Sequence, residues 1–151
     1  MAVFASRLVT PESVVLEEEV QSVFLRTDVG EAAFMPGHTP LIGAIVPGAA
    51  RFQHEDGSEI TAAVHGGFVQ VDGEHVTVLS PVAERAEEID VERTRRALEA
   101  ADQRIAELGG SRGGTEGAED DPARYQLAAA EAAKRRAEVR LEVAGAEGPR
   151  S

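Results

Sequence analysis

Between Gly30 and Gly48 the chain packs three prolines, four glycines and a histidine around a short apolar run. No regular helix tolerates that composition, because proline fixes φ and lacks an amide proton while glycine is costly to order. Pro36-Gly37 and Pro47-Gly48 each set a fixed φ before a residue that accepts positive φ, so each marks a turn. The segment therefore reads as turn, short apolar run, turn.

The same punctuation extends over residues 1 to about 82. Val3–Thr10 alternates loosely before Pro11, and Val14–Leu16 and Val20–Thr27 are apolar and β-branched. Ala49–His54 and Ser58–Val64 flank Asp56-Gly57; Gly67–Val71 and His75–Leu79 flank Asp72-Gly73. Both are hairpin signals. Turn signals at this spacing predict a β-sandwich or barrel. All five Phe lie at or before Phe68, which places the large core side chains in this part. The run Glu17-Glu18-Glu19 reads as a solvated strand end.

After Pro81 glycine is absent until Gly109. Asp90 fits an N-cap, and Thr94, Ala97, Leu98, Ala101, Ile105 and Leu108 recur on one helical face. Gly109-Gly110 predicts the stop, and 109–121 reads as a mobile loop. Asp121-Pro122 restarts a helix to about Ala144, with a stripe of Leu127, Ala130, Ala137, Leu141 and Ala144 interrupted by Lys134. Alanine favours the helix but buries little area, so the pair needs another surface. Residues 145–151 read as a frayed tail. The predicted fold class is α+β: an antiparallel β-sandwich over 1–84, then a two-helix hairpin over 85–151.

Charge narrows the partners. The net charge is −12, with 3 basic against 11 acidic residues over 1–80 and 12 against 16 over 81–151. That excludes nucleic acid and argues against direct adhesion to anionic lipid. No apolar run approaches the roughly 18 residues that span a bilayer, so no direct membrane insertion is expected. There is no cysteine, hence no disulfide or thiolate metal site. The phosphate-loop, dinucleotide and nucleophile-elbow motifs are missing, and the chain is not expected to be an enzyme. His38, His54, His65 and His75 have no short metal spacing and read as surface or turn histidines.

The block Gly30, Glu31, Pro36, Gly37, His38, Pro40, Leu41, Pro47, Gly48 resembles the signature of the epsilon subunit of the proton-translocating ATP synthase. Ala33 departs where glycine is usual. Gly66-Gly67-Phe68-Val69-Gln70-Val71 and Val76-Thr77-Val78-Leu79 match later family pieces in the same order. The resemblance implies a non-catalytic central-stalk (rotor) subunit on the cytoplasmic face of a bacterial cell membrane. Its implied partners are the gamma subunit, the membrane rotor-ring subunits and the catalytic head. It implies that Glu31 and His38 face the ring; His38 also fits a locally bonded turn residue. The helices would be a regulatory arm that opposes ATP hydrolysis.

Some bacterial members of the family bind ATP on this arm. The resemblance carries that role to Asp90, Arg93, Arg136 and Arg140, with Thr94 replacing the usual alanine. Arg136 and Arg140, four apart, share a helix face. Capping by Asp90 and solvated arginines is the competing account. No cofactor is required; a weakly bound regulatory ATP is the expected ligand, if any. A free-standing β-sandwich ligand-binding module with a helical dimerisation tail is the alternative that composition alone allows.

Overall fold

The computed structural model describes residues 2–110 and 122–146. Its strands are β1 (Phe4–Val9), β2 (Val14–Val20), β3 (Ser22–Thr27), β4 (Gly30–Phe34), β5 (Leu41–Ile45), β6 (Gly48–Gln53), β7 (Glu59–Val64), β8 (Gly67–Val71), β9 (His75–Leu79) and β10 (Ala83–Arg85). A 3-10 turn (Ala86–Glu88) then leads to α1 (Val91–Gly110) and α2 (Pro122–Ala146). The α+β class expected from the sequence is what forms.

Strand order is β10-β7-β6-β3-β5-β8-β9-β1-β2, with β4 beside β3. The step from β3 to β5 is a single pair, Thr27 with Ile45. The path folds there, and the two halves enclose one core. Val23, Leu25, Phe34 and Phe52 from one half meet Leu8, Val69, Val76 and Val78 from the other. Pairing is antiparallel except between β1 and β9, which run parallel from Ala5–His75 to Val9–Leu79. No hairpin joins those two strands, so no turn dictates their direction.

Two local expectations change. Glu17–Glu19 is not a strand end but lies inside β2, where Glu17 and Glu19 point outward between buried Leu16 and Val20. Pro36-Gly37 is the turn foreseen: Gly37 has φ of 86° and the His38 amide donates to the Met35 carbonyl at 3.1 Å. Gly48, by contrast, is not among the positive-φ glycines. It begins β6, where a Cβ would lie 3.2 Å from Arg26 Cβ, so the position is small because of packing. Ala33, where the family has glycine, sits in the regular β4 ladder opposite Phe24.

The helices run further than their glycines suggested. α1 takes in Gly109 and Gly110, and α2 continues past Ala144 to Ala146. Glycine lowers helix stability by about 1 kcal/mol without forbidding the conformation. Most of the loop expected at 109–121, and the tail after Ala146, lie outside the described residues. On α1, Thr94, Ala101 and Leu108 are buried as expected, whereas Ala97 is exposed. On α2, Ala130 and Ala137 are buried. Lys134 does not break that seam: its Nζ meets Asp102 Oδ1 of α1 at 2.9 Å, and that carboxylate raises the proton affinity of the amine.

Candidate functional site

α2 has a second buried face, set off the alanine stripe that faces α1. Val139 and Val143 pack on Ala63 of β7, on Ala86 of the 3-10 turn and on Ile89, with Ala49 and Ala144 at the margin. The hairpin is thus folded down on the β-domain. The contact is narrow and built from small side chains, so each contributes little area. Ion pairs rim it: Arg140 Nε donates to Glu84 Oε1 at 2.6 Å, and Arg26 lies 3.7 Å from Glu142.

Between the start of α1, β10 and α2 lies a cleft of about 400 Å³. Glu84, Glu88 and Asp90 supply its carboxylates, and Arg93 and Arg140 its cations. Three of the four residues the resemblance assigns to nucleotide therefore share one wall system, while Arg136 is not on the lining. Asp90 caps α1: its Oδ1 accepts from the Arg93 amide at 3.1 Å. The buried Thr94 hydroxyl is satisfied by the Asp90 carbonyl at 2.7 Å. Arg140 already holds Glu84. The cleft carries more acid than base.

His65 departs most from the sequence reading. It is no surface histidine: its side chain is 4% exposed, beneath the arm. Burial and the guanidinium of Arg140 push its proton affinity down, with Arg136 adding to that effect and Glu84 opposing it. No local signal in the sequence marks it, since its neighbours Glu84 and Arg140 are distant along the chain.

Glu31 and His38 are placed apart in role. Glu31 is exposed on β4 but lies 3.5 Å from Arg51, which also approaches Glu59 and stacks 4.4 Å over the Phe24 ring. His38 is held locally, with Nδ1 2.7 Å from the Thr39 carbonyl and its ring edge-on to Phe34 at 5.3 Å. It borders an apolar groove of about 310 Å³ that reaches Val29 and Leu41. On the outer face of the second half-sheet, Ala44, Phe68 and Leu79 are paired in one row across β5, β8 and β9. With Ile42 they leave an apolar patch; Ile42 is 71% and Phe68 58% exposed. Patches of this kind mark protein contact sites.

A ten-stranded sandwich with a two-helix hairpin folded against it defines the class of fold that carries these sites. Residues 3–86 match the family described as ATP synthase, Delta/Epsilon chain, beta-sandwich domain. The ATP synthase epsilon chain of Moorella thermoacetica is 38% identical over 97% of this chain and 99% of its own length. That of Desulforudis audaxviator is 46% identical over 66% of this chain and 72% of its own. The chain belongs to the epsilon-chain family of ATP synthase. A chain in the Euglena gracilis mitochondrial ATP synthase (OSCP/F1/c-ring, rotational state 1) superposes with a TM-score of 0.74 at 25% identity, covering 95% of this chain and 82% of that one. One in the Tetrahymena thermophila mitochondrial ATP synthase central stalk and c-ring shares the fold, with a TM-score of 0.53 at 17% identity. Among the described residues no helix is long and apolar enough to cross a membrane.

Proposed function

We propose that the chain is a central-stalk rotor subunit that helps couple proton flow to ATP synthesis and restrains ATP hydrolysis through its helical arm. The observation that carries the arm's role is the narrow Val139–Val143 contact. An element held by so little apolar area has a docked and a free arrangement separated by only a few kcal/mol. Freed, it would present its clustered arginines to acidic surfaces of the catalytic head.

The exposed apolar patch of Ile42, Phe68 and Leu79 suits the gamma subunit. The end bearing Glu31, His38 and the groove beside Val29 suits the loops of the membrane rotor ring. Working there, the subunit would sit on the cytoplasmic face of a bacterial membrane without entering it. Regulatory ATP fits the cleft at Asp90 only in part. Arg93 and Arg140 would meet its phosphates once Arg140 let go of Glu84, and Arg136 would have to swing in. The exchange makes such a site weak.

The test is truncation after Ile89 in the assembled membrane enzyme. ATP hydrolysis should rise while the subunit stays bound. Unchanged hydrolysis with the truncated subunit retained overturns the restraining arm.

A further inference from the structure

His65 lies between β7 and β8, where the sandwich supports α2. Among the described residues, neither ring nitrogen has a hydrogen-bond partner. Nε2 stands 3.7 Å from Glu84 Oε1, too far for a hydrogen bond. That same oxygen accepts from Arg140 Nε at 2.6 Å, so it is committed to the arm. The charged groups facing the imidazole are Glu84 from β10 and Arg136 and Arg140 from α2.

We propose that His65 is a proton-operated latch: neutral, it lets the arm lie on the β-domain, and its protonation drives the arm off. A proton on the ring would place a second cation on the one carboxylate that Arg140 uses, with Arg136 adding a third positive charge nearby. It would also bury an ion in a nearly closed site. Departure of α2 removes both arginines and opens the ring to water.

In the docked state burial and Arg140 hold the proton affinity of His65 below its ordinary value, and Glu84 only partly opposes them. In the free state it returns towards about 6.5. Docking is therefore fully supported above that pH and is weakened as pH falls below it, by up to about tenfold per pH unit for one proton. The inference depends on the observed docked contact and not on ATP binding.

The chain has no cysteine, so Ala63→Cys gives a single thiol under α2, at a position that is fully buried. Its labelling rate reads how often the arm lifts. The rate in the His65-containing protein, divided by that with His65→Ser added, cancels the reagent's own pH dependence. From pH 7.5 to 5.5 this ratio should climb, approaching tenfold per unit below about 6.5. A flat ratio overturns the latch. If His65→Ser does not fold, the imidazole can be titrated by NMR in the unmodified protein. A midpoint at or above the ordinary histidine value overturns it equally, and a midpoint displaced downward supports it.

Discussion

Truncating both arm valines, Val139→Ala and Val143→Ala, should undock the hairpin without unfolding the sandwich. Both side chains are buried, at 5% and 0% exposure, in a cluster separate from the sandwich core. Each substitution removes two methyl groups at about 0.8 kcal/mol apiece, so the pair forfeits about 3 kcal/mol before any cavity cost. The rim cannot make that up: Arg26 and Glu142 are both half exposed, and such pairs are worth about 0–1 kcal/mol. At about 1.4 kcal/mol per tenfold, the docked-to-free ratio falls about a hundredfold. Helicity is the wrong readout, because alanine is the better helix former and pulls the other way. Labelling of the Ala63→Cys thiol reads docking directly and should accelerate about a hundredfold. Less than a threefold change, with the thermal transition of the sandwich preserved, would refute the claim that this apolar contact holds the arm.

Gly67→Ala should fold poorly or not at all, because Gly67 has φ of 118° and a Cβ there would overlap the Leu79 carbonyl oxygen across the β8–β9 pair. A loss of about 2 kcal/mol or more is expected in denaturant unfolding, combining backbone strain with displacement of β9; a neutral result would mean that β8 and β9 are not so close. Millimolar ATP should slow amide exchange over residues 122–144 in the full chain, and Arg140→Ala should abolish that effect. Equal exchange with and without ATP removes the nucleotide reading of Asp90, Arg93, Arg136 and Arg140.

The β-half was readable because its signals are local. Asp72 both ends β8 and turns the chain, its carboxylate accepting the Glu74 and His75 amides at 2.8 Å each. Those amides also hold its acidity above the ordinary level. Asp56 acts similarly through Ser58. The parallel β1–β9 pair was invisible for the opposite reason, since nothing between Val9 and His75 encodes it locally. On α2 the alanine stripe facing α1 was legible, but Val139 and Val143 lie off it. Their partners, Ala63, Ala86 and Ile89, look unremarkable until the helix covers them. The candidate site suffers most from this. Asp90 and Arg93 are neighbours in sequence, whereas the Glu84–Arg140 pair and buried His65 exist only once β10 and α2 meet.

That division has a physical consequence for how the molecule can work. The sandwich core is complete without the arm: Leu8, Val23, Phe52, Val69 and Val76 are all sealed by other strands. Lifting α2 uncovers mainly the methyl groups of Ala49, Ala63 and Ala86 together with Ile89, and the sheet ladders stay intact. The charged contacts that break are Arg140 with Glu84, beside His65, and Arg26 with Glu142. A large aromatic contact in place of the two valines would fix the arm, and a purely polar one would not hold it. Small apolar groups, with a titratable imidazole under one edge, leave the docked state stable enough to populate and weak enough for a single proton or a competing protein surface to tip.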